Sequence, residues 1–507
     1  RLRPADLPAS PRTPPPVVVV VVLLLLLFLA RLTLLRSTSS PETLLRRPSP
    51  MLRTRAAALP RLAPRFACAP AALLSRHASH AAPTTDALGR KYPEDLGLQH
   101  TFAELTNLAD ERLGAKILFA TDEWFATADN LLKPDDPHFD ATTFSAEGKV
   151  MDGWESRRRR LAGHDWCVIR LGVPGLIHGF EIDSAHFTGN QAPAVRVFGA
   201  CIEGDEKDSW LGPPRASLGV QGTCSSAEEI EAASRAVDGV RGGWHELVPL
   251  SALRPGYVEG GPTAAPEGQV NASVHRFAVA PSAASRRLTH LRFNLHPDGG
   301  VARMRAWGVV SRHFETELSA AAVGPIDLLS ALNGGRALGA SNRHYGHPRN
   351  LLQPGRGENM GSGWETARNP RRPPVLQTDA ATGFVDMPGV NDWCVLRLGA
   401  VAGAVESLTI DTNFFRGNFP ESVTVEACYS PEAATEQLLD ATSGSSIEWK
   451  ELLPRTRVAA STEHIFSSAD LLPHGKVSHL RVSIFPDGGI MRVRAIGRAV
   501  APLSDAK

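Results

Sequence analysis

The strongest constraint on this chain is that it is written twice. Asn130-Leu131-Leu132 returns as Asn350-Leu351-Leu352, and Gly153-Trp154-Glu155-Ser156 as Gly363-Trp364-Glu365-Thr366. Asp165-Trp166-Cys167-Val168 returns as Asp392-Trp393-Cys394-Val395, and Phe187-Thr188-Gly189-Asn190 as Phe415-Arg416-Gly417-Asn418. Trp244-His245-Glu246-Leu247 matches Trp449-Lys450-Glu451-Leu452, and His290-Leu291-Arg292 through Pro297-Asp298-Gly299-Gly300 matches His479-Leu480-Arg481 through Pro486-Asp487-Gly488-Gly489. The order is kept and only the loops differ in length, so an internal duplication sets the domain plan. Each copy, at roughly 180 residues, is too long for a solenoid unit and of the right size for a domain.

The local pattern inside each copy is that of strands. Leu291-Arg292-Phe293-Asn294-Leu295 alternates apolar and polar side chains, which puts one face in a core. Pro297-Asp298-Gly299-Gly300 then reads as hairpin-turn chemistry. In Val301-Ala302-Arg303-Met304-Arg305-Ala306-Trp307, Arg303 and Arg305 share a face, and Arg492 and Arg494 repeat the arrangement. Glycine (44) and proline (39) are plentiful and helix-period stretches scarce. The expectation is an all-β chain of two tandem antiparallel sandwiches of jelly-roll type. The boundaries read as repeat 1 over 113–315 and repeat 2 over 325–507, preceded by an extension over 86–112. The insert from Cys201 to Gly243, rich in small and charged residues, reads as a surface loop.

Residues 1–85 are set apart by charge. They hold twelve arginines, no lysine and only two acids, Asp6 and Glu42, which leaves the rest of the chain a net charge of −9. An acidic body gives no reason to expect nucleic-acid binding. The 14-residue apolar run Val17 to Ala30 is shorter than the ~20 residues a membrane span needs, so no membrane partner is expected. Met51 to Thr85 carries five arginines and no acid amid Ala, Leu and Ser, the composition of an organelle transit peptide. The expected start is therefore Met51, with residues 1–50 upstream sequence and residues 51–85 a presequence, the whole of 1–85 being expected to be disordered and mitochondrial import being favoured over plastid. The alternative is a basic tail on a cytoplasmic protein. Six cysteines show no CxxC pair and no zinc spacing. Cys167 and Cys394 fall in matching apolar strands and read as buried free thiols, which suits a reducing compartment.

Polar side chains cluster in three places. The first is Met151-Asp152-Gly153-Trp154-Glu155-Ser156-Arg157, leading into Gly163-His164-Asp165-Trp166. Glu155, His164 and Asp165 are candidates for acid–base work, and Arg157 for a two-pronged hold on a carboxylate. Against that, Trp154 and Trp166 could be core residues and Asp165 a turn cap. The second is Asp183-Ser184-Ala185-His186-Phe187-Thr188-Gly189-Asn190. Asn190 and His186 are candidates for substrate binding, because an Asn amide edge matches a planar ureido group. The competing reading of Asn190 is an Asx-turn. The third is the arginine strand: Arg303 and Arg305 form either an anion-binding face or a solvated face balanced by acids. Repeat 2 has Asn391 and Phe414 where repeat 1 has His164 and His186, so the copies are not equivalent catalysts. His344 and His347 add imidazoles of their own, but no ligand spacing supports a metal. No cofactor is expected, with a divalent metal left open.

These motifs together resemble the allantoicase family: Met151-Asp152-Gly153-Trp154-Glu155, Gly163-His164-Asp165-Trp166-Cys167, Phe187-Thr188-Gly189-Asn190 and the twice-written Pro-Asp-Gly-Gly. The resemblance runs over about residues 113–498, and the motif set is specific. It implies two jelly-roll domains of galactose-binding-like type, homo-oligomers, and hydrolysis of the small molecule allantoate to ureidoglycolate and urea in purine degradation. Two other readings stay open at this point. One is a non-catalytic sandwich binding a carbohydrate or other ligand at its loops. The other is a related hydrolase of another ureido acid.

Overall fold

The computed structural model describes residues 102, 104–202, 204, 209–256, 273–311, 324–385, 387–399, 401–440 and 447–502. The presequence and the start at Met51 lie outside them. Among the described residues no helix is long and apolar enough to cross a membrane.

The first sandwich is organised by one long strand. Its strands are β1 (Thr106–Asn107), β2 (Lys116–Ala120), β3 (Trp154–Glu155), β4 (Asp165–Asp183), β5 (Ala194–Ala200), β6 (His245–Ala252), β7 (Val274–Ala278), β8 (Arg287–His296), β9 (Gly300–Val301) and β10 (Arg303–Val310). The first half of β4 pairs with β2 and β8, and the sheet continues through β5 to β6. The second half of β4 pairs with β10 and β7, and β1 closes the edge beside β10. One strand therefore serves both layers. Along most of β4 the buried side chains alternate with partly exposed ones, as a strand with one face in the core requires.

The second sandwich repeats the plan with β4 divided in two. Its strands are β11 (Ile326–Asp327), β12 (Arg336–Ala340), β13 (Trp364–Glu365), β14 (Asp392–Arg397), β15 (Val401–Asp411), β16 (Ser422–Cys428), β17 (Lys450–Arg457), β18 (Glu463–Phe466), β19 (His479–Phe485), β20 (Gly489–Ile490) and β21 (Arg492–Pro502). One sheet has the order β12-β14-β19-β16-β17 and the other β11-β21-β15-β18. This is the strand order of the first sandwich, element for element, and the all-β tandem jelly-roll expectation holds. The first sheet system takes in β1, which lies ahead of residue 113. Trp154 and Trp364 are fully buried at matching points, each indole N–H donating to a backbone carbonyl, Asp122 and Asn342 respectively, at 2.8 Å. Cys167 and Cys394 are buried free thiols.

Two expectations need correction. The Pro-Asp-Gly-Gly run does not close a hairpin. β8 and β10 do not pair with each other; each pairs with a different half of β4, so the run carries the chain from one sheet to the other. Its glycines serve close approach. At Gly299 (φ +116°) an added Cβ would sit 2.8 Å from the Asn190 carbonyl oxygen, and at Gly300 it would run into the Phe187 ring. Gly488 and Gly489 meet Asn418 and Phe415 in the same way. The Cys201–Gly243 insert is likewise not only surface loop. Ala227–Asp238 forms helix α1, capped by Ser226, whose hydroxyl accepts from the Glu229 N–H while the Glu229 carboxylate accepts from the Ser226 N–H. Such a reciprocal cap satisfies two end donors at once. Ala233 and Val237 of α1 cover Trp166 and Val168 on the outer face of the sheet. Further along the insert, Arg215 pairs with Glu123, both nearly inaccessible to solvent, and Glu123 also accepts from the Gly219 and Ala128 N–H groups.

Candidate functional site

Glu155 sits where three segments of the first sandwich meet. Its backbone exchanges hydrogen bonds with Ala126 on one side and lies opposite Gly300 of β9 on the other. Gly300 N–H in turn donates to the Asn190 carbonyl at 2.7 Å. The crossover glycines thus bring the Asn190 loop against β3, and Asn190 Nδ2 donates to Glu155 Oε1 at 2.8 Å. Glu155 is only 8% exposed. Burial drives its pKa up from the ordinary 4.5 to about 7, against the opposing pull of the Asn190 hydrogen bond. A carboxyl in that state exchanges protons readily near neutral pH.

A cleft of about 240 Å³ opens over this pair, lined by Phe125, Phe139, Lys149, Met151, Glu155, His186, Thr188 and Asn190. His186 enters it from a left-handed backbone position, φ +68°, a conformation His adopts more readily than most residues. Its ring stacks on Phe139 at 5.4 Å, and Nε2–H donates to the Pro137 carbonyl at 3.1 Å. That donation leaves Nδ1 as the acceptor nitrogen. Lys149 is the only cation among the lining residues, with Nζ 4.8 Å from the centre of the Phe139 ring. The cleft therefore joins an acid poised near neutrality, an imidazole, an amide and an ammonium.

Three of the sequence candidates come together here: Glu155, Asn190 and His186. The others do not. His164 Nε2 faces Asn294 Oδ1 at 3.1 Å and its ring stacks on His296 at 4.3 Å; burial holds its pKa below the usual imidazole value. Asp165 is buried, accepting from Thr121 Oγ1 at 2.9 Å and from Arg159 at 2.8 Å. Asp392 repeats this with Ser341 at 2.7 Å, which fits a scaffold part present in both copies. Arg157 is held by Asp122, Nε to Oδ2 2.7 Å, with its guanidinium over the Trp124 ring.

Neither reading of the arginine strand describes Arg303, which is 1% exposed and so does not lie on a solvated face. It donates to the carbonyls of Asp135, Asp152 and Ala302 at 2.8–2.9 Å and to the Asp152 carboxylate at 2.6 Å. These bonds hold the 135–152 segment that supplies Phe139, Lys149 and Met151 to the cleft. Arg305 reaches the Pro134 carbonyl at 3.3 Å and Asp136 at 3.5 Å. Asn190 does not form the Asx-turn of the competing reading, because its Oδ1 accepts from the N–H of Thr188, two residues back, at 3.2 Å, while its Nδ2 is the partner of Glu155. Lys149 escaped the sequence reading; its only signal was its place two residues before the Met151-Asp152-Gly153-Trp154-Glu155 run.

The second sandwich keeps the acid–amide pair alone. Asn418 Nδ2 donates to Glu365 Oε1, but Phe414 occupies the left-handed position of His186, at φ +66°, and removes the imidazole. Glu365 is also less buried than Glu155. Among the described residues, no group of three or more His, Cys, Asp or Glu side chains converges as a metal site.

Fold and cleft together define a tandem jelly-roll protein with a polar cleft on its first sandwich. The "Allantoicase repeat" profile matches residues 106–311 and again 326–500, and the chain belongs to the allantoicase family. A "Probable allantoicase" of Pseudomonas aeruginosa (strain LESB58) is 37% identical over 402 residues, covering 79% of this chain and 98% of the relative. One from Stutzerimonas stutzeri (strain A1501) is 36% identical over 403 residues, covering 79% and 98%. The crystal structure of allantoicase from Saccharomyces cerevisiae superposes with a TM-score of 0.55 at 29% identity, covering 79% of this chain and 98% of that one.

Proposed function

We propose that this chain hydrolyses allantoate to ureidoglycolate and urea, and that the Glu155 cleft is where it does so. The allantoicase match over both repeats carries the reaction, and its location follows from a buried carboxyl held by Asn190 and facing a cleft with one ammonium and one imidazole. Allantoate is a carboxylate whose α-carbon bears two ureido groups. Release of urea breaks one carbon–nitrogen bond, forms a carbon–oxygen bond to water and moves one proton from that water to the leaving nitrogen. In its protonated form Glu155 donates to the leaving ureido nitrogen. His186, through Nδ1, takes the proton from the attacking water. Lys149 receives the substrate carboxylate, and Asn190 holds Glu155 in place. Return of the proton from His186 to Glu155 through solvent closes the cycle.

Urea release from allantoate by the purified chain, with and without chelator, tests the activity. A protein that binds allantoate and leaves it intact would instead fit the binding-module reading. Lys149→Met tests the site: KM is expected to rise about 10–100-fold with kcat little changed, the loss of one charge-assisted contact made equally in ground and transition states. A variant with unchanged KM would remove Lys149 from the site. Two further parts of the proposal rest on sequence. Assembly into homo-oligomers follows from the family resemblance and is checked by light scattering. Import into an organelle, mitochondria first, rests on the arginine-rich, acid-free residues 51–85; a fluorescent fusion of those residues that stays in the cytosol would end it.

A further inference from the structure

A second, partly open cavity of about 190 Å³ lies between the two sandwiches and shares no lining residue with the Glu155 cleft. Arg349 of the second repeat lays its guanidinium over the Trp307 ring of the first, 4.7 Å from the ring centre. Among the described residues no carboxylate is hydrogen-bonded to it. Stacking orients a guanidinium and leaves its N–H edge for a planar oxyanion. Gln353 lines the same cavity. It is 5% exposed, and its Oε1 is buried without a hydrogen-bond partner, a rare condition for a buried amide that calls for an explanation.

The charges around the cavity favour an anion. Arg112 is neutralised by Asp110, the two bonded at 2.7 Å. Among the described residues the one carboxylate paired with Arg305 is that of the exposed Asp136, at 3.5 Å, beside the Pro134 carbonyl at 3.3 Å, and Glu104 accepts from the Thr435 hydroxyl at 3.0 Å. Desolvation draws the Arg349 pKa down to about 10, Glu181 opposing and Arg305, Arg343 and Arg112 adding to the effect. A cation under that stress gains from an anion placed on it.

We propose that this cavity between the repeats is a second ligand site, one that takes a small carboxylate carrying N–H donors, of the carbamoyl-amino-acid class, with the carboxylate on Arg349 and the N–H group on Gln353. Occupancy bridges the two sandwiches, because Arg349 and Gln353 belong to one and Trp307 and Arg305 to the other.

Calorimetric titration of the full chain with N-carbamoylglycine tests this. Two binding events are expected, one in the Glu155 cleft and one here. Lys149→Met removes the first and spares the second. Arg349→Met, which keeps an apolar stem on Trp307, should weaken the second by about tenfold or more, and Arg349→Lys should restore part of it. Gln353→Leu should weaken N-carbamoylglycine while leaving acetate unchanged, and it decides the matter alone if Arg349→Met fails to fold. A single event abolished by Lys149→Met overturns the site, as do isotherms that neither Arg349→Met nor Gln353→Leu alters. Inorganic phosphate displacing the probe equally well from the parent and from Gln353→Leu overturns the ligand class. Urea release is read separately, so failure here and failure of the Glu155 assignment are distinguishable.

Discussion

Glu155→Gln is expected to lower kcat for urea release by about 10²–10⁴-fold, the usual worth of a positioned acid. Glutamine keeps the shape and can still accept the Asn190 N–H, so the cleft stays assembled and only the transferable proton is lost. The pH profile gives an independent check. The parent's kcat/KM should fall as pH rises through about 7, where Glu155 loses its proton, and that limb should vanish in Glu155→Gln. Stability moves the other way. The folded pKa of about 7 lies above the ordinary 4.5, so the folded protein binds this proton more tightly than the unfolded chain does. That contribution is complete below pH 4.5 and disappears as pH rises towards 7, leaving the buried charge as a net cost of about 3 kcal/mol at pH 8. Glu155→Gln removes the cost. Its denaturation midpoint should match the parent's near pH 4.5 and exceed it at pH 8. Full activity with an unmoved pH limb would take the acid role away from Glu155.

The duplication was legible because strands and turns leave local traces that survive copying. The two buried tryptophans, the thiol pair and the glycines of the crossover all recur at fixed places in the motif order. Strand pairing was not legible. The alternation in β8 and β10 says that each has a buried face, but nothing in it says which half of β4 each will join, so a sheet-to-sheet crossover looked like a hairpin. Glu155, Asn190 and His186 were found because all three stand beside repeated blocks. Arg157 and His164 stand there too and were drawn elsewhere, by Asp122 and by the Asn294–His296 face, partners 35 and 130 residues distant. Distant pairing of that kind is invisible to a reading by neighbourhood. Lys149 lies on an exposed loop, where any lysine is unremarkable until the fold sets it beside Phe139. Helix α1 was there to be seen: Ser226 and Glu229 spell a capping box inside a stretch read as loop.

Arg303→Met should strongly destabilise the first sandwich while leaving the cleft's own side chains intact. Its guanidinium is 1% exposed and gives four hydrogen bonds, one to a carboxylate. Methionine fills much of the volume but leaves the Asp135, Asp152 and Ala302 carbonyls and the Asp152 carboxylate without that donor. Removing one side of such a buried pair costs about 3–5 kcal/mol. Arg303→Lys should recover less than half, because an ammonium cannot span oxygens that a planar fork reaches together. Arg305→Met is the control. Arg305 makes only a 3.3 Å contact to a carbonyl and a 3.5 Å contact to an exposed carboxylate, so about 1 kcal/mol or less is expected. The same gap should appear in catalysis. The 135–152 segment brings Phe139 and Lys149 to Glu155 and His186, so Arg303→Met assayed below its unfolding temperature should raise KM in the manner of Lys149→Met, while Arg305→Met should not. Equal losses in Arg303→Met and Arg305→Met, in denaturation and in KM, would mean that Arg303 does not organise the rim of the cleft.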